Sequence, residues 1–113
     1  MISKNFKRSE FACKCGCGFD TVDTALIIVQ QSIRDRFGAL VINSGCRCAS
    51  HNKSVGGASK SQHLLGRAAD VRPLSAGVKE IADWVKSNFP KVSCGEYSTF
   101  VHIDTRTGKP WIK

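Results

Sequence analysis

The stretch from Ser44 to Gly66 constrains this chain more than any other. It is rich in Gly, Ser, Asn and Lys and shows no hydrophobic period, yet it occupies the middle of a chain of only 113 residues. A segment without an apolar face of its own is ordered by the elements on either side, and long loops inside compact domains are usually functional. Before it, Val22, Leu26, Val29, Ile33 and Phe37 recur at steps of three and four residues. Asp20, Thr21 or Asp23 can cap this run and Gly38 can stop it, which predicts an amphipathic helix. Leu40-Val41-Ile42, short, apolar and bounded by Gly38 and Gly45, predicts a buried strand. After the stretch, Ala68 to Val71 predicts a second strand ended by Pro73. Val78, Ile81, Ala82, Val85 and Phe89 predict a second helix that begins near Ser75 and closes at Pro90. Cys94 to Tyr97 reads as extended or turning. Phe100 to Asp104 alternates, with Val101 and Ile103 on one side and Phe100, His102 and Asp104 on the other. Thr107-Gly108-Lys109 predicts a hairpin turn returning through Trp111 and Ile112 as an edge strand. Helices separated by strands that pair antiparallel predict an α+β domain, a small antiparallel sheet with helices packed on it, spanning residues 1–113.

Charge narrows the partners. Seventeen Lys and Arg against nine Asp and Glu leave a formal charge of +8, which raises the local concentration of any polyanion, whether nucleic acid, anionic lipid or the acidic polymers of a bacterial wall. The basic residues are scattered, without the aromatic interleaving of a stacking platform, so nucleic acid is not the expected partner. The longest apolar run, Ala25 to Val29, is far too short for a membrane span. Met1 to Arg8 is positively charged but no apolar segment follows, so the expectation is synthesis in the cytoplasm without a signal peptide.

The six cysteines fall as Cys13-x-Cys15-x-Cys17, Cys46-x-Cys48 and Cys94. Structural roles as buried thiols, a disulfide or a metal clip are all open, and an oxidising destination would permit 15 complete pairings. None has the helix start and His partner that would make it a nucleophile.

Chemistry converges on His63, Asp70 and His102. Two imidazoles and a carboxylate leave a fourth position open for a water, as a catalytic zinc requires. Gly66 permits a tight turn between His63 and Asp70, and Ala68 and Ala69 let the strand that carries Asp70 pack closely.

The order of these residues, Ser61-x-His63-x-x-Gly66-x-Ala68-x-Asp70, resembles the signature of the zinc-dependent D-Ala-D-Ala carboxypeptidases, peptidase family M15 with its phage-encoded members. Asn43-Ser44-Gly45-Cys46-Arg47-Cys48 and Asn52 with Val55-Gly56-Gly57 resemble that family's upstream segments, and Phe100-Val101-His102-Ile103-Asp104 resembles its last strand. The likeness runs from about Phe11 to Arg106. It implies a hedgehog/DD-peptidase-like fold, one catalytic Zn²⁺ on His63, Asp70 and His102, Arg47 as a substrate or transition-state contact and Ser61 as a substrate-binding residue. Cys46 and Cys48 replace the family's tyrosine and serine beside the arginine, and Thr99 stands where many members carry the catalytic carboxylate. Glu96, six residues before His102, is similarly placed to the Glu of the related hedgehog domains, so the base is assigned to Glu96 with Asp104 as its rival.

The resemblance thus implies a metallopeptidase cutting the peptide stem of peptidoglycan, at a terminal D-Ala or at an L-Ala-D-Glu bond. A phage lysin, freed by another factor or carried in the virion, would bring a chain made in the cytoplasm to the wall. Three rivals stand beside this reading: a zinc-binding module of the same fold without turnover, a nucleic-acid-binding protein using the cysteines as a zinc finger, and a structural phage protein whose His and Asp residues serve only packing.

Overall fold

The computed structural model describes residues 2–113. Its frame is a four-stranded sheet built from β1 (Leu40–Ser44), β2 (Ala68–Pro73), β3 (Ser93–Glu96) and β4 (Val101–Asp104), in the spatial order β1-β2-β4-β3 with every neighbour antiparallel. Three helices accompany it: α1 (Thr24–Phe37), the short α2 (Ala49–Ser54) and α3 (Val78–Asn88). The fold class is therefore α+β, as the alternation of patterns predicts. No helix among the described residues is long and apolar enough to cross a membrane.

Local sequence explains most of the boundaries. α1 ends at Gly38, which takes φ 87° and donates its N–H to the Arg34 carbonyl. α3 starts at Val78, later than Ser75, because the Glu80 carboxylate accepts the Gly77 N–H at 3.0 Å and sets the first turn there. Its apolar stripe, Ile81, Ala82 and Val85, is buried against the sheet together with Leu26, Val29 and Ile33 of α1. Burial of each large side chain contributes about 1.5–3 kcal/mol.

The two faces of the sheet are unlike. Ile42, Ala69, Val71, Cys94, Val101 and Ile103 join the hydrophobic core under α1 and α3. Asp70, His102 and Asp104 alternate with these residues and face the other way, as the period of two requires. The stretch from Ser44 to Gly66 borders that polar face, with Arg47, Ser61 and His63 beside Asp70 and His102.

Two expectations need correction. The central stretch is not structureless: it contains α2 and a 3₁₀ turn at Gln62–Leu65. Neither element has an apolar stripe; α2 is capped by the Cys48 sulfur, which accepts the His51 N–H, so it lacks the usual cap signal, and the 3₁₀ turn shows only its Ser61 and Gly66 caps. The C-terminal residues do not return along β4 as a hairpin. Ile112 instead bridges Cys94 in parallel on the outer side of β3, with the Cys94 N–H donating to the Trp111 carbonyl at 3.0 Å.

Candidate metal centre

The register of β2 and β4 places Asp70 directly opposite His102, on the polar face. Asp70 Oδ1 lies 3.0 Å from His102 Nδ1 and 3.4 Å from His63 Nε2. His63 arrives from the 3₁₀ turn, whose N-cap is Ser61 and whose C-cap is Gly66. Gly66 takes φ 68°, and a Cβ there would meet the Thr21 carbonyl, so both conformation and space demand glycine.

Each imidazole has its second nitrogen occupied. His63 Nδ1 lies 2.5 Å from the Gly45 carbonyl, which can only accept, so Nδ1 carries a proton and Nε2 is the nitrogen that faces Asp70. His102 Nε2 lies 2.8 Å from Asp104 Oδ2, so Nδ1, 3.0 Å from Asp70 Oδ1, is the nitrogen turned toward the cluster. Asp104 is fully buried and receives Arg106 through Nε at 2.8 Å and Nη2 at 2.6 Å. Burial pushes the Asp104 carboxyl up, but the bonds from Arg106 and His102 outweigh it and hold the group well below the usual carboxylate range. Asp70 behaves alike: burial opposes its ionisation, and His102 and His63 prevail. Burial lowers the affinity of His102 for a proton, but its two carboxylate neighbours raise it more.

The three donor atoms, two nitrogens and one oxygen, lie within 4.8 Å of one another. A tetrahedral ion with bonds of about 2.0–2.1 Å spaces its ligand atoms by about 3.3 Å, close to the 3.0 and 3.4 Å measured from Asp70. The donor set therefore fits a divalent metal ion, with each imidazole oriented by an outer hydrogen bond.

Arg47 reaches the same cluster. Its Nη2 lies 3.3 Å from Asp70 Oδ2, while Nε donates to Ser44 Oγ at 3.1 Å and Nη1 to Asn52 Oδ1 at 3.3 Å. Asn52 is itself buried and donates to the Ala58 carbonyl at 2.8 Å, so α2 serves as the bracket for the guanidinium. The result is an open cleft of about 490 Å³ walled by Arg47, Ser61, Tyr97 and Phe100 with the three donors at its floor. Tyr97 and Phe100 stack face to face at 4.6 Å. Trp111 packs edge-on against His102 at 5.6 Å.

Glu96 is not among the residues that line this cleft. The turn from Tyr97 to Phe100 pairs Glu96 with Val101, and Gly95 with His102. Glu96 therefore shares the core-side face with Cys94, whose thiol is raised by burial and in smaller part by the Glu96 charge. Asp104 does reach the cluster, but through His102.

The roles of Tyr97, Ser44, Asn52 and the Gly45 carbonyl escaped sequence reasoning, although Ser44, Gly45 and Asn52 lie in the segments that resemble the family's. Tyr97 gave no sequence signal, because its place beside Gly95, opposite His102, is set by strand register.

The sequence profile of the family described as Peptidase M15 matches residues 4–104. The chain belongs to peptidase family M15. No curated protein matches it. This M15 domain thus joins a metal-dependent peptidase family to a His/Asp donor group of its own, and the match spans every residue that builds the cleft floor.

Proposed function

We propose that this M15 peptidase is a zinc metallopeptidase that hydrolyses a peptide bond in the stem of peptidoglycan, as a D-Ala-D-Ala carboxypeptidase or an L-Ala-D-Glu endopeptidase of phage or prophage origin. The observation that carries the reading is the convergence of His63 Nε2, Asp70 Oδ1 and His102 Nδ1 at the floor of an open cleft, beside a bracketed Arg47.

His63, Asp70 and His102 would hold the ion, which supplies a water of lowered pKa and polarisation of a carbonyl oxygen. The chain does the rest. Asp104 keeps the proton of His102 on Nε2, so that Nδ1 stays a donor. Of the five N–H groups of Arg47, three are committed to Ser44, Asn52 and Asp70, and the remaining two on Nη1 and Nη2 are available to a substrate carboxylate or a developing oxyanion. Tyr97 Oη would take the part assigned to Glu96, giving a proton to the leaving amine and recovering one from the attacking water, since Tyr97 lines the cleft and Glu96 does not. Ser61, on the cleft wall, contacts substrate. The net charge of +8 draws the protein to an anionic wall, where it acts once released from the cytoplasm or as a virion component. Nucleic acid and membrane insertion have no part in this reading.

Turbidity loss of purified peptidoglycan, with zinc content measured alongside, tests it. Lysis by the wild type and not by His63→Ala is expected. A second reading has its own support: Asp70 is the one carboxylate among the residues lining the cleft, which favours a zinc-binding module without turnover. Zinc on the His/Asp donors with no hydrolysis of any wall preparation would establish that reading instead.

A further inference from the structure

All six cysteines are free thiols, and four of them meet. Cys13 Sγ lies 3.4 Å from Cys15 Sγ and 3.8 Å from Cys48 Sγ, and Cys15 lies 3.6 Å from Cys48. Cys17 completes a set of sulfurs all within 4.8 Å of one another. Four thiolates around a tetrahedral zinc, with Zn–S bonds of about 2.3 Å, stand about 3.8 Å apart. The cluster has that spacing already.

The backbone is arranged to make it. In an extended chain, residues two apart share a side but stand well beyond sulfur contact. Here the Cys13 N–H donates to the Phe19 carbonyl at 2.8 Å and the Gly16 N–H to the Cys13 carbonyl at 3.3 Å, curling the loop so that its three sulfurs converge. Gly16, at φ 79°, supplies the left-handed step. Cys48 comes from the other side of the loop, at the N-cap of α2. Backbone N–H groups point at the sulfurs: Cys48 N to Cys13 Sγ and His51 N to Cys48 Sγ, each at 3.4 Å, as is usual for groups that support a metal ligand.

Packing does not account for the cluster. Cys15 and Cys17 are exposed, and an exposed thiol gains nothing from gathering with others for burial. Cys46 and Cys94 are the contrast: both are buried, and they donate to the Phe19 and Ala82 carbonyls.

We propose that Cys13, Cys15, Cys17 and Cys48 bind a structural zinc ion, separate from the His/Asp centre. Soft thiolate donors select zinc over magnesium or calcium. The ion ties the loop at 13–17 to Cys48, the residue after Arg47, and so fixes the segment from which Arg47 reaches Asp70. It is a positioning element for the cleft.

The test uses the whole chain purified anaerobically without chelator, and the double variant His63→Ala/His102→Ala, which removes the other donor set. The double variant should retain one equivalent of zinc, and its cobalt form should show sulfur-to-cobalt charge transfer with the intense ligand-field bands of a tetrahedral thiolate site. Cys15→Ser/Cys17→Ser should lose one equivalent while keeping the His/Asp metal. Should that variant fail to fold, the cobalt spectrum of the double His variant decides alone. A double His variant free of metal, a cobalt spectrum without thiolate charge transfer, or a peptide map showing disulfides among the four would overturn the proposal. None of these outcomes depends on peptidase activity, so the proposal and the peptidoglycan reading fail separately.

Discussion

Asp104 Oδ2 stands 2.8 Å from His102 Nε2, on the same strand and the same face, in a position with no exposure to solvent. The pair decides which nitrogen of His102 is left for a metal. Asp104→Asn offers that nitrogen a neutral amide and weakens the hold on the tautomer. Zinc affinity should fall by about 10–100-fold, read by competition with a chromophoric chelator. An unchanged affinity would remove Asp104 from the metal centre.

Glu96→Gln should retain both zinc and hydrolysis, because the register turns Glu96 to the face of Cys94. Tyr97→Phe should retain zinc and lose about 10²-fold in kcat, the usual scale for a proton-transfer group. Kinetics of the two variants on the same wall preparation separate these roles, and the reverse result would return the base to Glu96.

Arg47→Lys keeps the charge but cannot span Ser44, Asn52 and Asp70 together while still presenting two N–H groups. A loss of about 10²-fold or more in kcat is expected with metal content unchanged. If only KM moved, Arg47 would bind ground state and transition state alike.

Cys94 provides a pH dependence. Burial raises its thiol from 9.0 to about 11, so the folded state holds its proton where the unfolded chain has lost it. The contribution is fully present below pH 9 and is lost as pH rises toward 11, an upper figure of about 2–3 kcal/mol for a shift of this size. Urea unfolding at about pH 8 and about pH 10.5 should show a steeper loss for the wild type than for Cys94→Ala. Equal slopes would refute the linkage.

Gly66→Ala places a side chain in the left-handed region and against the Thr21 carbonyl. The conformational cost alone is about 1–2 kcal/mol, and the clash adds to it. A lower urea midpoint with an unchanged slope, together with weakened zinc binding through His63, is the expected result.

The periodic elements were legible because they depend on neighbours in the chain. The stripe Leu26, Val29 and Ile33 and the alternation of Val101 and Ile103 against His102 and Asp104 each declare a face without reference to anything distant. Glu96 shows where such reading stops. Six residues along one continuous strand would return it to the His102 face, but a turn intervenes, and the pairing of Tyr97 with Phe100 sets Glu96 opposite Val101. α2 was illegible for a related reason: its cap is a sulfur and its buried residue is Asn52, held by Arg47 and Ala58.

By itself the sequence determined the two long helices, the strands that flank the site and the residue types able to hold a metal, since periodicity and donor chemistry are local properties. Which donors meet was decided by the tertiary structure. Strand register set Asp70 against His102 and turned Glu96 away, and loop packing carried Cys48 to a loop 35 residues earlier, because both are settled by contacts between parts of the chain that sequence order keeps apart.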